Sequence, residues 1–178
     1  GFGEQVKPKE ESAVYRAEKL VGLNQGAFYQ ELLTIYQALI AGEDNWLANM
    51  ANLSALLFDQ MDEINWAGFY LWDGQELVLG PFQGKPACVR IPKGKGVCGT
   101  AVERAEPIVV PDVHRFPGHI ACDAASRSEV VIPFWHSERL IGVLDIDSPV
   151  LERFDQQDAE GLSRLLDALV AGSNWPDA

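Results

Sequence analysis

The sequence is poor in basic residues, in cysteine and in long apolar runs. Lysine and arginine together number 14, against 26 aspartates and glutamates, and the formal net charge is −12. Nucleic acids and anionic membranes are bound by clustered cations that neutralise phosphates, so both kinds of partner are disfavoured. No apolar run approaches the roughly 20 residues that cross a bilayer. We see no signal peptide and expect a cytoplasmic protein.

Only three cysteines are present, Cys88, Cys98 and Cys122. A secreted disulfide scaffold usually carries more cysteines, in an even number. In a reducing compartment cysteines act as small buried apolar residues, metal ligands or redox catalysts. Structural zinc sites usually contain a Cys-x-x-Cys pair, and this sequence has none. We therefore expect no metal site and no bound cofactor.

Hydrophobic spacing predicts helices first, then strands, then a final helix. Apolar residues recur every three or four positions in 26–40 and 46–61, and again in 154–172, where Asp155 is the expected N-cap. Alternating patterns predict six strands, at 65–72, 76–82, 87–91, 107–112, 128–135 and 139–147. This order predicts an α+β fold with a mostly antiparallel central sheet flanked by helices.

The same patterns divide the chain into three parts. We expect residues 1–25 to form a flexible N-terminal extension, part of which can be left over from cloning. Residues 26–172 are predicted to form one domain, and residues 173–178 a C-terminal tail. A chain of 178 residues suits a single core of this size.

Cys122 is the candidate nucleophile. The sequence Asp-Ala-Ala-Ser after it favours a turn or a helix start, where free backbone amides and the helix dipole lower the pKa of a thiol. His119, three residues earlier, would help if it were close and charged. The alternative is a buried structural cysteine.

Cys88 and Cys98 flank a loop that contains Gly94 and Gly96. Attack by Cys122 on an oxidised substrate would leave a sulfenic acid, which a second thiol condenses into a disulfide. Glycines, Gly99 among them, would let the loop move or approach the ligand closely. The residues alone leave open which cysteine resolves the sulfenic acid, and both could instead be merely packed.

Three acids and two aromatic residues complete the candidate site. Asp145 and Asp147 alternate in an apolar strand, so both carboxylates point to one face, and Glu129 begins another strand. If the three converge in a pocket, burial and repulsion raise at least one carboxyl pKa. Trp66 and Tyr70 are four residues apart in a strand and share a face, either as ordinary core or as pocket walls.

Several longer segments carry a family resemblance. "INWAGFYL", "LVLGPFQGKPACVRIPKGKGVCGTAVE", "DVHRFPGHIACDAASRSEVVIP" and "LIGVLDIDS" together resemble the free methionine-(R)-sulfoxide reductases. These are single GAF-domain enzymes that reduce the R epimer of free methionine sulfoxide. The resemblance covers about residues 27–170, and three cysteines, a tryptophan, a tyrosine and three acids all match in place.

The resemblance implies roles for these residues. Cys122 would attack the substrate sulfur, and Cys88 would resolve the sulfenic acid, with Cys98 as the alternative or a relay. An exchange of roles between Cys98 and Cys122 also stays open. The resemblance places Glu129 and Asp147 near the sulfoxide oxygen with Asp145 in support, Trp66 against the substrate methyl group, and the Tyr70 hydroxyl in the pocket.

The resemblance also implies thioredoxin as the external reductant, with no flavin, haem or metal. We expect a homodimer, because the aromatic residues of the two N-terminal helices would otherwise be exposed. The rival hypothesis is a GAF sensor that binds a small molecule or responds to redox state. Against it, no output domain or cyclic-nucleotide signature is visible in the chain.

Overall fold

The computed structural model describes Tyr15, residues 17–120 and residues 122–177. Two helices come first, then six strands with a third helix among them, then a fourth helix. The elements are α1 (Gln25–Ile40), α2 (Trp46–Gln60), β1 (Trp66–Trp72), β2 (Glu76–Gly84), β3 (Arg90–Pro92), α3 (Gly96–Arg104), β4 (Ile108–Val110), β5 (Ser128–His136), β6 (Arg139–Ser148) and α4 (Gln156–Ala171). A 3₁₀ turn at Val113–Arg115 follows β4.

The six strands form one sheet in the order β3-β2-β1-β6-β5-β4, and every neighbouring pair is antiparallel. This confirms the predicted α+β class. The strands β1 and β6 lie at the centre, flanked by β2 and β5, and β2, β5 and β6 are the longest strands, with 9, 9 and 10 residues. The two edge strands, β3 and β4, have only three residues each.

The alternation of side chains along the central strands gives the sheet two different faces. One face, with Ala67, Phe69 and Leu144, packs in a core that includes apolar residues of α1, α2 and α4. The other face, with Trp66, Tyr70 and Val143, packs in a second cluster that includes residues of α3. All the acids and aromatic residues selected from the sequence as site candidates belong to strands of this sheet.

Side-chain caps begin three of the helices. Asn24 and Asn45 accept hydrogen bonds from the backbone amides of the first turns of α1 and α2 and are the caps of these helices. Asp155 caps α4, as predicted, in a reciprocal box with Asp158. Asp158 also accepts a hydrogen bond of 2.7 Å from the Tyr29 hydroxyl, which ties α4 to α1.

One local prediction in the glycine-rich region is wrong. The third strand begins at Arg90, not at residue 87, because the chain around Cys88 leaves the sheet and is held by other contacts. Part of the predicted loop is the start of α3. Gly96 has a φ of +61°, and a Cβ at Gly99 would overlap the Pro92 carbonyl oxygen. Gly99 thus permits a close approach between backbones, and movement of the loop stays a prediction.

The ends of the chain pack more closely than expected, as far as the structure describes them. Residues 1–14 and 16 of the predicted extension, and Ala178 of the predicted tail, lie outside the described residues. The Leu20 amide donates to Gln60 Oε1, and Leu20 packs against the core. Trp175 packs against the same core, with its ring 6.1 Å from that of Trp46.

The argument for a homodimer is only partly answered within the chain. Tyr29 and Tyr36 are buried among α1, α2 and α4, whereas Phe28 and Trp46 are half-buried and Phe58 is 39% exposed. Homodimer formation therefore stays a prediction. Across the described residues, every helix is too short or too polar to serve as a membrane span.

A pair of helical glycines gives a test of this packing. A Cβ added at Gly161 would overlap the Tyr29 ring, whereas one at Gly26 would meet only Asn24 Oδ1, at 3.7 Å. We expect Gly161→Ala to lower the free energy of unfolding by about 1–3 kcal/mol through overpacking. Gly26→Ala should raise it by about 0.5–1 kcal/mol. Urea unfolding of both variants measures this, and equal effects would contradict the packing of α4 on α1.

Candidate active site

Strand register brings the three candidate acids together on the face that packs against α3. Glu129 lies directly opposite Asp147 across β5 and β6. On the other side of β6, Trp66 lies opposite Asp147, and Gly68 lies opposite Asp145. The acids are thus neighbours across strands, and Trp66 stands beside them.

The structure joins Cys88 to Cys122 in a disulfide with a Cα–Cα distance of 5.5 Å. The two cysteines are 34 residues apart in the chain, and both are half-buried. Cys98 is in α3, fully buried and not disulfide-bonded. Of the pairings that the sequence left open, the structure therefore contains the one between Cys88 and Cys122.

The two aromatic candidates hold the segment that carries Cys88. The Tyr70 hydroxyl donates a hydrogen bond of 2.9 Å to the Cys88 carbonyl oxygen, and Trp66 Nε1 donates one of 3.2 Å to the Lys85 carbonyl oxygen. The Trp66 and Tyr70 rings are also stacked, with centroids 5.9 Å apart. Both side chains line the pocket and, in addition, anchor the Cys88 segment to β1.

Asn65, which the sequence reasoning missed, holds the segment that carries Cys122. Its Nδ2 donates hydrogen bonds of 3.1 Å to Asp123 Oδ2 and to Ser126 Oγ, and its backbone amide donates to the Asp147 carbonyl oxygen. One residue thus links the Cys122 segment to the strand that supplies Trp66. The only signal in the sequence was the position of Asn65 directly before that strand.

No helix begins at Cys122. The Ala125 amide donates to Asp123 Oδ1 and the Ser126 amide to the Asp123 carbonyl oxygen, which makes a short turn. Of the two alternatives that the sequence offered after Cys122, a turn and a helix start, the structure contains the turn, so a contribution from a helix dipole has no support here. The expected help from a charged His119 also lacks support, because burial and the nearby His114 lower the His119 pKa and favour the neutral imidazole.

Burial of the three carboxyl groups dominates the electrostatics of the site. Desolvation, together with the mutual repulsion of the acids, holds the pKa of Glu129 and of Asp147 well above the usual range. Burial raises the pKa of Asp145 too, but hydrogen bonds from Glu129, Cys98 and Asp147 oppose that rise. Asp145 is therefore the carboxylate that the other groups stabilise.

The hydrogen bonding of Asp145 depends on a shared proton. With all three acids ionised, its Oδ1 is buried without a hydrogen-bond partner among the described residues, and such an acceptor is costly. A proton on Glu129, on Asp147 or on the Cys98 thiol would supply a donor. Burial and the nearby acids raise the Cys98 pKa well above its usual value, so this thiol keeps its proton.

The acids, the aromatic rings and two of the cysteines surround a small cavity of about 40 Å³. Its lining includes Trp66, Tyr70, Cys98, Cys122, Glu129, Asp145 and Asp147. Of the two cysteines in the disulfide, only Cys122 lines the cavity. A volume of this size holds about one to three water molecules, and far less than a typical ligand pocket of about 300–1,000 Å³.

One group of side chains in the cavity has the composition of a metal site. Ligand atoms of Cys98, Glu129 and Asp145 all lie within 4.8 Å of one another. Burial is the main cause of the raised pKa values of all three groups, and the hydrogen bonds of Glu129 and Cys98 to Asp145 oppose the rise in the Asp145 pKa. Shared protons can hold such a cluster together, and the absence of a metal site stays an expectation.

The fold and this thiol-containing, acid-lined pocket define a GAF domain with a redox site. The GAF domain family matches residues 48–171. The free methionine-R-sulfoxide reductase of Escherichia coli is 56% identical over 144 residues, covering 81% of this chain and 87% of that protein.

Two solved structures extend the comparison. The free methionine-R-sulfoxide reductase from Neisseria meningitidis, in complex with its substrate, is 43% identical with a TM-score of 0.82, over 91% of this chain and 95% of that one. The substrate complex of fRMsr from Staphylococcus aureus is 51% identical with a TM-score of 0.77, over 81% and 94% of the two chains. This chain belongs to the free methionine-R-sulfoxide reductases, a family of oxidoreductases.

The buried acids predict an unusual dependence of stability on pH. In the unfolded chain a carboxyl group loses its proton near pH 4, whereas the folded state retains it on groups with raised pKa. The folded state then binds more protons, so stability falls as pH rises above the unfolded pKa. The Glu129→Gln variant carries a neutral amide at this position, so it has no carboxyl group to deprotonate as pH rises. We expect its melting temperature to exceed that of the wild type by several degrees at pH 8 and by little at pH 4.

The matched control is Glu106→Gln, which replaces an exposed acid. Its melting temperature should differ from that of the wild type by a constant amount across the same pH range. Calorimetry at pH 4, 6 and 8 measures both variants. A constant difference for Glu129→Gln as well would show that Glu129 does not hold a proton in the folded state.

Proposed function

We propose that this protein reduces free L-methionine-(R)-S-oxide to L-methionine through a sulfenic acid on Cys122 and a disulfide with Cys88. The observation that carries the proposal is the Cys88–Cys122 disulfide at the edge of a cavity lined by three buried acids. The relatives that are named for this reaction support it. A thiol for attack, a second thiol within bonding distance and a proton donor are what sulfoxide reduction needs.

In the first step the Cys122 thiolate attacks the sulfoxide sulfur. A bond forms between Cys122 Sγ and the substrate sulfur as the sulfur–oxygen bond breaks, and the departing oxygen takes a proton and leaves as hydroxide. The hydroxide then attacks Cys122 Sγ, and the sulfur–sulfur bond breaks with its electron pair on the substrate sulfur. Methionine and Cys122 sulfenic acid result. In the second step the Cys88 thiolate attacks Cys122 Sγ. Water leaves and the disulfide forms. The sulfoxide is thereby reduced by two electrons, and the two thiols are oxidised.

Glu129 and Asp147 supply the proton for the departing oxygen. In an ordinary carboxyl group the ionised form outnumbers the acid form about a thousandfold at neutral pH. Burial raises the pKa of Glu129 and of Asp147, which favours the acid form of both. Asp145 accepts hydrogen bonds from them and keeps the protonated side chains oriented. The Trp66 ring forms the wall for the substrate methyl group, and the Tyr70 hydroxyl keeps the Cys88 segment in place.

The disulfide must be reduced before the next substrate binds. A cavity of about 40 Å³ excludes an amino acid, so reduction has to separate the Cys88 and Cys122 segments. Thioredoxin supplies the two electrons in this proposal, and no metal, flavin or haem takes part. A thioredoxin-dependent cycle fits the cytoplasm.

Homodimer formation remains part of the proposal, to be tested by sedimentation.

The direct test of the activity is NADPH consumption with thioredoxin, thioredoxin reductase and free methionine sulfoxide. The enzyme should consume NADPH with the R epimer and not with the S epimer, because inversion at sulfur exchanges the oxygen and methyl positions between the acids and Trp66. N-acetylated and peptide-bound methionine sulfoxide should react far more slowly. A GAF sensor would give no NADPH consumption with any of these compounds.

Replacing each cysteine separates their roles. Cys122→Ser should abolish single-turnover methionine formation. Cys88→Ser should form about one methionine per site and then stall with thioredoxin, and a small thiol should rescue it. Cys98→Ser should keep a thioredoxin-supported turnover, because Cys98 is outside the disulfide. Full thioredoxin turnover by Cys88→Ser would instead assign the resolving role to Cys98.

The acids predict the pH profile of the chemical step. With Cys122 already a thiolate, single-turnover reduction should slow as pH rises through the raised pKa of the proton donor. Glu129→Gln and Asp147→Asn should each slow this step by about tenfold or more. Alkylation of Cys122 by iodoacetamide is the control and should persist in both variants. Wild-type single-turnover rates in both variants would remove these acids from the mechanism.

A further inference from the structure

The disulfide lies between two large exposed apolar side chains. Val89 directly follows Cys88 and is 60% exposed, and Ile120, two residues before Cys122, is 37% exposed. The Cα atoms of the two cysteines are 5.5 Å apart, so the bridge places Val89 and Ile120 within about 17 Å of each other. That span fits inside one protein–protein contact of about 800 Å² per partner.

The segment that carries Cys88 and Val89 is rich in basic residues, although the protein as a whole is strongly acidic. Residues 85–95 contain Lys85, Arg90, Lys93 and Lys95 and no acid, whereas the chain as a whole has a net charge of −12. Arg90 pairs with Asp73 and Glu76. The three lysines are exposed, and none forms an ion pair within the part of the chain that the structure describes. A partner with acidic residues around an apolar contact would be attracted to this segment.

The two sulfurs face different surroundings. Cys122 lines the cavity, and Cys88 does not. Tyr70 and Trp66 hold the Cys88 segment through its backbone carbonyl groups, which leaves its side chains free of those bonds. Both cysteines are half-buried, but a thiol that docks beside the Cys88 segment meets Cys88 outside the cavity, whereas Cys122 faces the cavity that holds the acids.

We propose that Val89, Ile120 and the lysines of residues 85–95 form the docking surface for a protein dithiol with an acidic border, which attacks Cys88. This inference rests on the proposed recycling of the disulfide by such a partner. The partner thiolate bonds to Cys88 Sγ as the Cys88–Cys122 bond breaks, and Cys122 leaves as a thiolate that faces the cavity. The second partner thiol then attacks the mixed disulfide and frees Cys88. Two electrons pass from the partner, which ends as a disulfide.

The first experiment maps the attacked sulfur. The oxidised wild-type protein is mixed with a thioredoxin that has lost its second active-site cysteine, so that the mixed disulfide cannot be released. Peptide mass spectrometry under non-reducing conditions locates the bond. Attachment at Cys88 is expected. Attachment at Cys122, or no mixed disulfide at all, would overturn the proposal.

The second experiment tests the surface and uses the preformed disulfide, so it needs no sulfoxide substrate. Reduction of the oxidised Val89→Ser variant by thioredoxin should be about fivefold slower than that of the wild type. Reduction by dithiothreitol should be unchanged, because a small thiol needs no docking surface. Val21→Ser is the matched control, because Val21 is 77% exposed and far along the chain from either cysteine.

The charge contribution is tested in the same assay. Lys93→Gln should slow reduction by thioredoxin about threefold at low salt and less at high salt, whereas Arg164→Gln, which also removes an exposed cation, should not. Equal thioredoxin rates for wild type, Val89→Ser and Lys93→Gln would overturn the docking surface. The docking surface would also be overturned if the variants were reduced more slowly by thioredoxin and by dithiothreitol to the same extent, because that result would indicate an altered disulfide. Single-turnover methionine formation remains an independent test of the proposed activity.

Discussion

The burial of three carboxyl groups on one face of the sheet is the constraint around which the site is built. Asp145 and Asp147 point the same way from β6, and Glu129 lies opposite Asp147 on β5. Three negative charges in so small a volume without water would repel each other strongly. The folded protein avoids this by retaining protons on some of the acids, which is why the pKa of Glu129 and of Asp147 is raised. The arrangement that weakens the fold at high pH is the one that can supply a proton at neutral pH.

The cysteine chemistry depends on the same strands. Asn65 and Trp66, at the start of β1, contact the Cys122 and Cys88 segments respectively, and Tyr70 holds the second of these again. The central sheet therefore positions both irregular segments by hydrogen bonds to backbone carbonyl groups and polar side chains. These hydrogen bonds hold the Cys88 segment beside Cys122.

The structural features that follow from short-period sequence patterns were predicted correctly. The alternation in β1 and β6 and the three- and four-residue spacing in the helices gave the α+β class, and Asp155 was recognised as a cap because capping is local. The errors occur where distant contacts outweigh local preference. The strand predicted at 87–91 begins only at Arg90, and Tyr70 and the disulfide hold Cys88 outside it. After Cys122 the local sequence left a turn or a helix start open, and the turn is the one in which Asn65 bonds to Asp123 and Ser126.

The sequence by itself determined that Asp145 and Asp147 share a face, because side chains of a strand alternate, and that Trp66 and Tyr70 do so too. The resemblance of its motifs to a known family added the roles of these residues. Only the tertiary structure decided that Cys88 pairs with Cys122 while Cys98 is buried, and that Asn65 takes part in the site. Periodicity encodes the direction of neighbouring side chains, whereas the meeting of segments 34 residues apart depends on how the whole sheet and its loops pack.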